Sequence, residues 1–393
     1  MLFRTPALDQ KEVSVLARIA VLKESLKYAA TEPRRWTGWL RRNAFARAIR
    51  GSNSIEGYNV TMEDAIAAVE GEEPISPRDE AYLAVAGYRI ALTFVLQKAE
   101  DPHFSYSEEA LKALHYMMVG WDLSKHPGRW RPGPIFVKNE TTGEQVYEGP
   151  PAEVVQPLIV ELIEGMNSSA TDNAIIAGAM AHLNLVMIHP FSDGNGRMAR
   201  GLQTLVLARS GIISPHFSSI EEYLGRNTQS YYDVLAEVGA GSWNPQRDAR
   251  PWIRYCLRAH YHQALTLLRR FREGQKLWNA LEEVTGTKGL PDRSLSALAD
   301  AAVGLRIRNT TYRFGAEVTD FVASRDLKAL VGAGLLIKQG ENRGRFYIAS
   351  EELLSIRRRT AEPRLRWPDP FTEEQPENGT PMLPGMADWA GGV

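Results

Sequence analysis

The sequence has a single cysteine, Cys256, among 393 residues, which excludes an intramolecular disulfide and a cysteine-rich metal cluster. This cysteine content suits a reducing compartment. A dominant charge is also missing, because the formal net charge is −1 at pH 7. Such a balance argues against binding to nucleic acid or to a membrane over a large part of the surface, but it does not exclude a local basic patch.

Long apolar runs are missing as well. The most apolar segment, "IIAGAMAHLNLVMIHPF", contains His182 and Asn184 and is shorter than the ~20 apolar residues that a membrane-spanning helix needs. Near the N-terminus, Asp9, Lys11 and Glu12 precede any apolar run, so no secretory signal peptide is visible. We therefore expect a cytoplasmic protein with no membrane partner.

Neither of the common nucleotide-binding loops is present. The sequence contains no Gly-x-x-x-x-Gly-Lys-Ser/Thr pattern, which argues against a Walker-type site. Gly194 and Gly196 form a Gly-x-Gly pattern, but a helical pattern rather than a strand precedes them. That context argues against a dinucleotide-binding fold.

Apolar residues three and four positions apart predict a mainly α-helical protein. This pattern covers residues 12–30, 79–99 and 250–284. In "IFVKNETTGEQVYEGPP", β-favouring residues flank a Thr-Thr-Gly turn and predict a β-hairpin. After "TGTKGLPDRSL", an amphipathic helix, a Gly-containing turn and two short strands follow in the order of a winged helix.

At 393 residues the chain is too long for one ordinary domain. Composition and pattern divide it into five segments: an N-terminal helical region (1–100), a catalytic core (101–245), a connecting helix (246–285), a winged-helix domain (286–360) and a tail rich in Pro, Gly and acidic residues (361–393). We expect the tail to be disordered.

The densest group of polar residues is "HPFSDGNGRMAR", which begins at His189 after an apolar helical pattern. Pro190 disfavours helical dihedral angles in the residue before it, so this helix should end at His189. The next helix should open near Gly196, and the free N–H groups at a helix N-terminus bind anions. Arg197 and Arg200 lie on its first turn, where cations oppose the helix dipole unless a bound polyphosphate compensates.

Two further groups complete a phosphate site. Asp193 could hold the Mg²⁺ that accompanies polyphosphates, and His189 is a candidate general base. Each residue alone is compatible with a structural role, since His-Pro and Gly-Asn-Gly are common in turns. Their combination at this spacing indicates phosphate chemistry.

The same stretch resembles the signature His-x-Phe-x-Asp/Glu-Gly-Asn-Gly-Arg-x-x-Arg of the Fic (filamentation induced by cAMP) family, with every defined position filled. The resemblance extends over about residues 35–245, and more loosely through the C-terminal winged helix. Family members typically transfer AMP from ATP to a hydroxyl of a target protein and release pyrophosphate. The resemblance thus implies a mainly α protein: a Fic-type helical bundle with a β-hairpin flap, plus a small α+β winged-helix domain.

The resemblance also implies roles for individual residues. His189 would take the proton from the target's Ser, Thr or Tyr hydroxyl, Asp193 would bind Mg²⁺, and Phe191 would anchor the loop. The remaining implied contacts are Gly194, Asn195 and Gly196 with the α- and β-phosphates, Arg197 with the phosphates, Arg200 with the γ-phosphate, Tyr231 and Tyr232 beside the adenine pocket, and Lys138, Gln145, Val146 and Tyr147 in the flap that clamps the target segment. The hairpin tip "ETTGEQ" is longer than expected for the family.

A second stretch, "SNSIEG" from Ser52 to Gly57, resembles the family's inhibitory motif Ser/Thr-x-x-x-Glu-Gly/Asn. Ser52 and Glu56 should lie about one helical turn apart on one face. The resemblance implies that Glu56 pairs with Arg200 in the γ-phosphate position, so that ATP binds unproductively. An ordinary helix-ending turn is the alternative interpretation.

The sequence of the C-terminal segment does not determine which kind of molecule it binds. Residues 303–359 contain 11 Lys/Arg and 6 Asp/Glu, a local net charge of +5. Its Arg325, Lys328, Arg343 and Arg345 could contact DNA, whereas many winged helices dock proteins or form dimers. The favoured interpretation is therefore an autoinhibited, ATP- and Mg²⁺-dependent adenylyltransferase of unknown target. Self-modification, a homodimer, removal of AMP, another nucleotide donor, and a DNA-binding regulator with a sensing core are the alternatives.

Overall fold

The computed structural model describes residues 1–31, 35–74, 79–138, 142–168, 173–211, 217, 219–341, 344–364 and 367–372. Most of the described residues are helical. Within the described ranges, the α-helices up to residue 239 are α1 (Gln10–Thr31), α2 (Arg35–Ile55), α3 (Met62–Glu70), α4 (Glu80–Glu100), α5 (Glu108–Val119), α6 (Val155–Ser168), α7 (Ala174–Ile188), α8 (Asn195–Arg209), α9 (Glu221–Arg226) and α10 (Thr228–Gly239).

Side-chain caps fix where several of these helices begin. The side chains of Asp79, Ser107 and Asn173 accept hydrogen bonds from backbone N–H groups in the first turns of α4, α5 and α7. Each cap satisfies a donor that has no partner within the helix. Polar residues just ahead of an apolar pattern thus set the start of these helices.

Helix α7 lies at the centre of the fold. Apolar residues occupy all sides of this helix, and most of its residues are buried, including His182 and Asn184. One side of α7 packs with α4, α5, α6 and α8 in one apolar core, while the other side joins a second core around a later helix. A helix that is apolar all round is typical of such a buried position.

That later helix, α11 (Arg250–Thr287), contains 38 residues and spans about 57 Å. It packs against α1, α2, α7 and α10, and at its far end against the C-terminal helices. The sequence predicts a connecting helix at residues 246–285. The structure gives this helix a larger role, because residues such as Trp252, Cys256 and Leu281 are buried along its length.

The C-terminal part contains four helices and two strands: α12 (Leu295–Ala302), α13 (Asn309–Ala316), α14 (Asp320–Gly332), β4 (Leu336–Gln339), β5 (Phe346–Ala349) and α15 (Glu351–Thr360). Strands β4 and β5 are antiparallel, and Ile307 forms a single bridge to Tyr347 at the edge of this sheet. The predicted helix, turn and two strands are present as α14, Gly334, β4 and β5, after two helices (α12 and α13) that the sequence analysis did not single out, and the winged-helix assignment stays a prediction.

A small sheet lies next to the end of α7. Strands β1 (Phe136–Lys138) and β2 (Gln145–Glu148) form an antiparallel hairpin, and β2 pairs in parallel with β3 (Gly241–Ser242). The predicted hairpin is therefore present. Part of its tip, residues 139–141, lies outside the described residues.

The segment that the sequence predicts to be disordered is packed where the structure describes it. Glu362 forms ion pairs with Arg272 and Lys276 on α11. Asp369 pairs with Arg258 at 2.9 Å, and the ring of Phe371 lies 5.6 Å from the same guanidinium. Residues 361–364 and 367–372 thus differ from the prediction, and residues 373–393 lie outside the described part.

In the part of the chain that the structure describes, no helix combines the length and the apolar character needed to cross a membrane.

Candidate functional site

The site is built on the turn between α7 and α8. Helix α7 ends at Ile188, and His189 caps it in a left-handed conformation (φ 53°, ψ 58°), with its N–H donating to the carbonyl of Leu185. The Nδ1 of His189 lies 3.0 Å from the carbonyl oxygen of Val186. If that nitrogen carries the proton and donates it, Nε2 keeps its lone pair. Burial lowers the pKa of His189, so the neutral base is favoured.

The loop is held by its own asparagine. The side chain of Asn195 accepts a hydrogen bond from the N–H of Phe191 at 2.9 Å and donates one to its carbonyl at 2.8 Å. The sequence assigns Asn195 to the phosphate site. Its side chain is instead committed to the loop, so only its backbone N–H is left to face an anion.

Phe191 anchors the loop as expected, and it does so through a residue that the sequence did not single out. The Phe191 ring is fully buried and stacks on the His115 ring at 3.7 Å between centroids. His115 accepts a hydrogen bond from the N–H of Gly128 and uses Nε2 to bind the carbonyl of Asp193. Burial lowers the pKa of His115 to about 4, so this histidine is a neutral support for the loop.

A second supporting residue, Arg131, was also missed. Its Nε donates to the carbonyl of His189 at 2.8 Å, and its Nη groups donate to Gly133 and Pro150. One buried guanidinium therefore ties the turn after α7 to both sides of the hairpin. Its partners are far apart in sequence, and only the fold brings them together.

Asp193 is the only carboxylate of the loop, and it is 40% exposed. It lies 3.3 Å from Lys125 and 3.8 Å from Arg197. Among the described residues there is no group of three or more His, Cys, Asp or Glu side chains that could hold a metal by themselves. A lone exposed carboxylate still fits Mg²⁺, because this ion keeps several waters and takes its other ligands from substrate phosphates.

Arg197 is fully buried, yet none of its three guanidinium nitrogens has a hydrogen-bond partner in the described structure. The Tyr58 ring lies 5.1 Å from this guanidinium and contributes a cation–π contact. A buried charge without hydrogen bonds is costly. An anion that donated acceptor oxygens to Arg197 would remove this cost.

The N-terminus of α8 already has an anionic group beside it. The N–H of Met198 donates to the carbonyl of Gly194 and is the first to form a helical hydrogen bond in α8. The N–H groups before it therefore have no partner within the helix. Gly194 has φ 76°, which a residue with a side chain would adopt only with strain. At Gly196, an added Cβ would collide with the Oε1 atom of Glu56. The carboxylate of Glu56 therefore lies directly on the predicted phosphate site.

Glu56 reaches this position together with Ser52. Arg200 donates from Nη2 to the Glu56 carboxylate at 2.6 Å and from Nε to the Ser52 hydroxyl at 2.7 Å. Burial opposes the charge of Arg200, but the nearby Glu56 carboxylate outweighs it and raises the pKa of Arg200. The predicted contact is present. Helix α2 ends at Ile55, however, so Glu56 lies just past the helix rather than on its face.

Tyr231 and Tyr232 lie near the contact between Glu56 and Arg200 but differ in burial and in hydrogen-bond partner. Tyr231 is 1% exposed and its hydroxyl lies 3.0 Å from Nε2 of His182, so it belongs to the core. The position of Tyr231 beside an adenine ring stays a prediction. Tyr232 is 42% exposed and donates to the carbonyl of Ile55 at the end of α2. It therefore contacts the segment that carries Glu56.

The hairpin residues are placed at the entrance to the turn. Lys138 pairs with Gln145, and Val146 is 38% exposed. Tyr147 is buried and its hydroxyl donates to the carbonyl of Met187, two residues before His189. In the described sheet, β1 has no neighbour on its outer side, which leaves an edge for strand addition.

The geometry supplies a base and an anion site within one turn of chain. His189 lies at the entrance, Arg197 and Arg200 lie beside the α8 N-terminus, and Asp193 lies between them. Such an arrangement suits attack on a phosphorus atom, with charge stabilised on the leaving side.

Comparisons with known proteins agree with this chemistry. Residues 105–207 match the model of the Fic/DOC family. The chain is 28% identical over 225 residues to protein adenylyltransferase Fic of Nematostella vectensis, covering 55% of this chain and 47% of the relative. It is 28% identical over 206 residues to protein adenylyltransferase fic-1 of Caenorhabditis elegans, covering 51% of this chain and 37% of the relative. The chain thus spans less than half the length of these relatives.

Solved structures show the same fold. A Fic family protein from Desulfovibrio desulfuricans G20 superimposes with a TM-score of 0.55 at 21% identity, over 88% of this chain and 98% of the other. Fic-1 (residues 134–508) from C. elegans gives a TM-score of 0.51 at 22% identity, over 65% of this chain and 72% of the other. The mainly α Fic fold that the sequence predicts is confirmed.

Proposed function

We propose that this chain, which carries a Fic domain over residues 105–207, is a protein adenylyltransferase that is inhibited by its own Glu56. It would transfer AMP from ATP to a Ser, Thr or Tyr hydroxyl of a target protein. The observation that carries the proposal is the position of the Glu56 carboxylate, against Gly196 and bonded to Arg200. An anion at this place supports a phosphate site at the α8 N-terminus.

The proposed reaction uses residues of the turn after α7 one after another. Nε2 of His189 takes the proton of the target hydroxyl, the hydroxyl oxygen bonds to the α-phosphorus, and the bond from that phosphorus to the bridging oxygen of pyrophosphate breaks. Arg197 and the free N–H groups of α8 stabilise the charge that gathers on the leaving pyrophosphate. Asp193 would hold Mg²⁺, which would neutralise part of that charge.

Inhibition in this proposal follows from competition for one cation. Arg200 would bind the γ-phosphate, but its Nη2 and Nε atoms are bonded to Glu56 and Ser52. ATP that enters while this pair persists would lack one phosphate contact and lie out of line with the hydroxyl. Displacing Glu56 would free the guanidinium.

The remaining parts of the proposal concern the rest of the chain. The exposed edge of β1 would receive the target segment, and the C-terminal part would be a winged helix with α14 exposed. Arg325 and Lys328 are exposed on α14, whereas Arg343 lies outside the described residues. DNA binding, a homodimer, self-modification and a cytoplasmic location stay predictions, as do the five segment boundaries.

The test is transfer of label from α-³²P-ATP with Mg²⁺ in a cell lysate. We expect labelled protein bands with Glu56→Gly, far fewer with the wild type, and none with Glu56→Gly combined with His189→Ala. The same reactions with γ-³²P-ATP should give no label that depends on His189, which separates AMP transfer from phosphorylation. Glu73→Gly, which removes an exposed glutamate after α3, is the matched control and should behave as the wild type. No label in any variant that still binds ATP would overturn the proposal.

A further inference from the structure

A second arginine-rich region lies away from the catalytic turn, in a cleft between α2, α11 and α15. The cleft has a volume of about 630 Å³, within the ~300–1,000 Å³ typical of small-molecule sites. Six arginines and one glutamate are among its lining residues. The arginines are Arg47, Arg226, Arg269, Arg270, Arg357 and Arg364.

Two carboxylates neutralise part of this charge. Glu222 accepts hydrogen bonds from both Nη atoms of Arg270 at 2.6 Å and pairs with Arg226. Glu273 accepts from Arg269 at 2.6 Å and from Arg357 at 3.0 Å. Two negative charges therefore face six positive ones, and the excess is concentrated in one partly enclosed space.

Arg47 shows where the excess is greatest. Within the described residues it has neither a hydrogen bond nor an ion pair, although little of it reaches solvent. Burial and the neighbouring charge of Arg270 lower the pKa of Arg47 to about 10. The Nη1 atom of Arg357 is buried and also lacks a partner. A ligand that supplies acceptor oxygens would give the partly buried Arg47 a counter-charge and the buried Nη1 of Arg357 a hydrogen-bond partner.

The shape of these donors selects among anions. A guanidinium presents parallel N–H groups that match phosphate oxygens, and several such groups around one cleft favour more than one phosphate. Two indole rings, of Trp39 and Trp367, also line the cleft. Aromatic faces of this kind stack on nucleotide bases.

We propose that this cleft binds a small molecule carrying a di- or polyphosphate group, with a nucleotide as the ligand class that also uses the two indole rings. The site is separate from the turn that follows α7, because it is lined by α2, α11, α15 and the tail. It does not depend on the function proposed above.

The first experiment measures binding of inorganic pyrophosphate to the full chain by calorimetry. Arg47→Gln should weaken binding at least about tenfold, because it removes a charge-assisted contact. Arg358→Gln removes a charge one residue from Arg357, where Arg358 pairs with the exposed Glu351, and should leave the affinity unchanged. Arg200→Ala removes a phosphate contact at the turn after α7, so it serves as a background in which the loss caused by Arg47→Gln should persist.

Two outcomes would overturn the proposal: no measurable binding, or binding that Arg200→Ala abolishes and Arg47→Gln preserves. The melting temperature of the ligand-free Arg47→Gln variant serves as an independent measurement. It should equal or exceed that of the wild type, since an uncompensated charge is removed. If Arg47→Gln fails to fold, Arg364→Gln at the exposed rim replaces it, and an unchanged affinity there would also contradict the proposal.

The second experiment separates a nucleotide from a bare phosphate group by titrating ADP. We expect ADP to bind the wild type at least about tenfold more tightly than pyrophosphate, through stacking of the base. Trp367→Leu should abolish this difference and leave pyrophosphate binding unchanged. Equal affinities of the two ligands for the wild type would overturn the nucleotide assignment.

Discussion

The α8 N-terminus and the cleft beside α11 both hold arginines with little exposure, but the chain bonds a carboxylate to Arg200 and leaves Arg47 in the cleft without one among the described residues. At α8, the Glu56 carboxylate bonds to Arg200 at 2.6 Å. In the cleft, Arg47 has no such partner among the described residues. A built-in counter-charge makes a site stable and closed, whereas its absence makes a site dependent on a ligand.

The comparison also holds within the catalytic turn. Arg197 and Arg200 lie one turn apart on α8, yet Arg197 has no hydrogen-bond partner among the residues that the structure describes, and Arg200 has three hydrogen bonds to Ser52 and Glu56. In the proposed function, inhibition therefore concerns one arginine of the pair. Arg197 would remain available for phosphates even when Glu56 is in place.

The largest expected effect tests whether the two regions have different roles. In the Glu56→Gly background, Arg200→Ala should lower the rate of AMP transfer about 10²–10³-fold, because it removes a group that stabilises transition-state charge. In the same background, Arg47→Gln should leave the rate essentially unchanged. Initial rates with α-³²P-ATP give both values. Similar losses in the two variants would remove the distinction between the sites.

A smaller effect on stability should differ in sign between the regions. Glu56→Gln keeps the shape of the side chain but removes its charge, so the buried guanidinium of Arg200 loses its counter-ion. We expect the free energy of unfolding to fall by about 1–3 kcal/mol, less than for a fully buried pair because Glu56 is 25% exposed. Arg47→Gln, by contrast, should not destabilise the protein.

Urea denaturation of the two variants measures this difference, and addition of ATP should restore most of the stability of Glu56→Gln. A variant as stable as the wild type would mean that Ser52 and solvent alone satisfy Arg200, and that the ion pair is not what holds Glu56 over Gly196.

Local chemistry explains how much of the site could be predicted. Pro190 set the end of α7 at the residue before His189, and the glycines set the start of α8. The contact of Glu56 with Arg200 was expected from the resemblance of "SNSIEG" to the inhibitory motif of the Fic family, although a turn rather than a helix face presents it. The ends of α7 and α8 depend on residues that are neighbours in sequence, whereas Glu56 and Arg200 lie 144 positions apart.

Supporting residues could not be found in this way. His115 lies 78 positions from Asp193, whose carbonyl it binds, and Arg131 lies 58 positions from His189. Nothing in the sequence near either residue marks it as part of the loop. Periodicity predicts that a stretch is helical, but not which helix it packs against, which is also why α11 was expected to be only a connector.

The cleft is an extreme case of the same limit. Its arginines come from α2, α9, α11, α15 and the described part of the tail. In the sequence, five of them are ordinary basic residues in helical segments and Arg364 lies in the tail, and the net charge of −1 hides their concentration. Only packing turns them into one site.

The smallest expected effect is on the pH dependence of the proposed reaction, which also distinguishes the two regions. The catalytic turn contains His189, whereas no histidine is among the residues that line the cleft. Burial lowers the pKa of His189 below its usual value near 6.5, so the neutral base should persist to lower pH. The acid limb of kcat/KM for Glu56→Gly should therefore lie below pH 6.5.

The Glu56 carboxylate is one of the groups that raise the pKa of His189. Replacing it should thus lower that pKa further, which ¹⁵N NMR titration of the imidazole can measure in the wild type and in Glu56→Gly. His103→Gln, which removes a histidine from the loop between α4 and α5, is the control and should leave the profile unchanged. An acid limb at or above pH 6.5 would contradict the lowering of the His189 pKa by burial. An imidazole pKa that rises in Glu56→Gly would show that Glu56 does not lie beside the base in solution, and the contrast between Arg200, bonded to the chain's own carboxylate, and Arg47, without such a partner, would have to be abandoned.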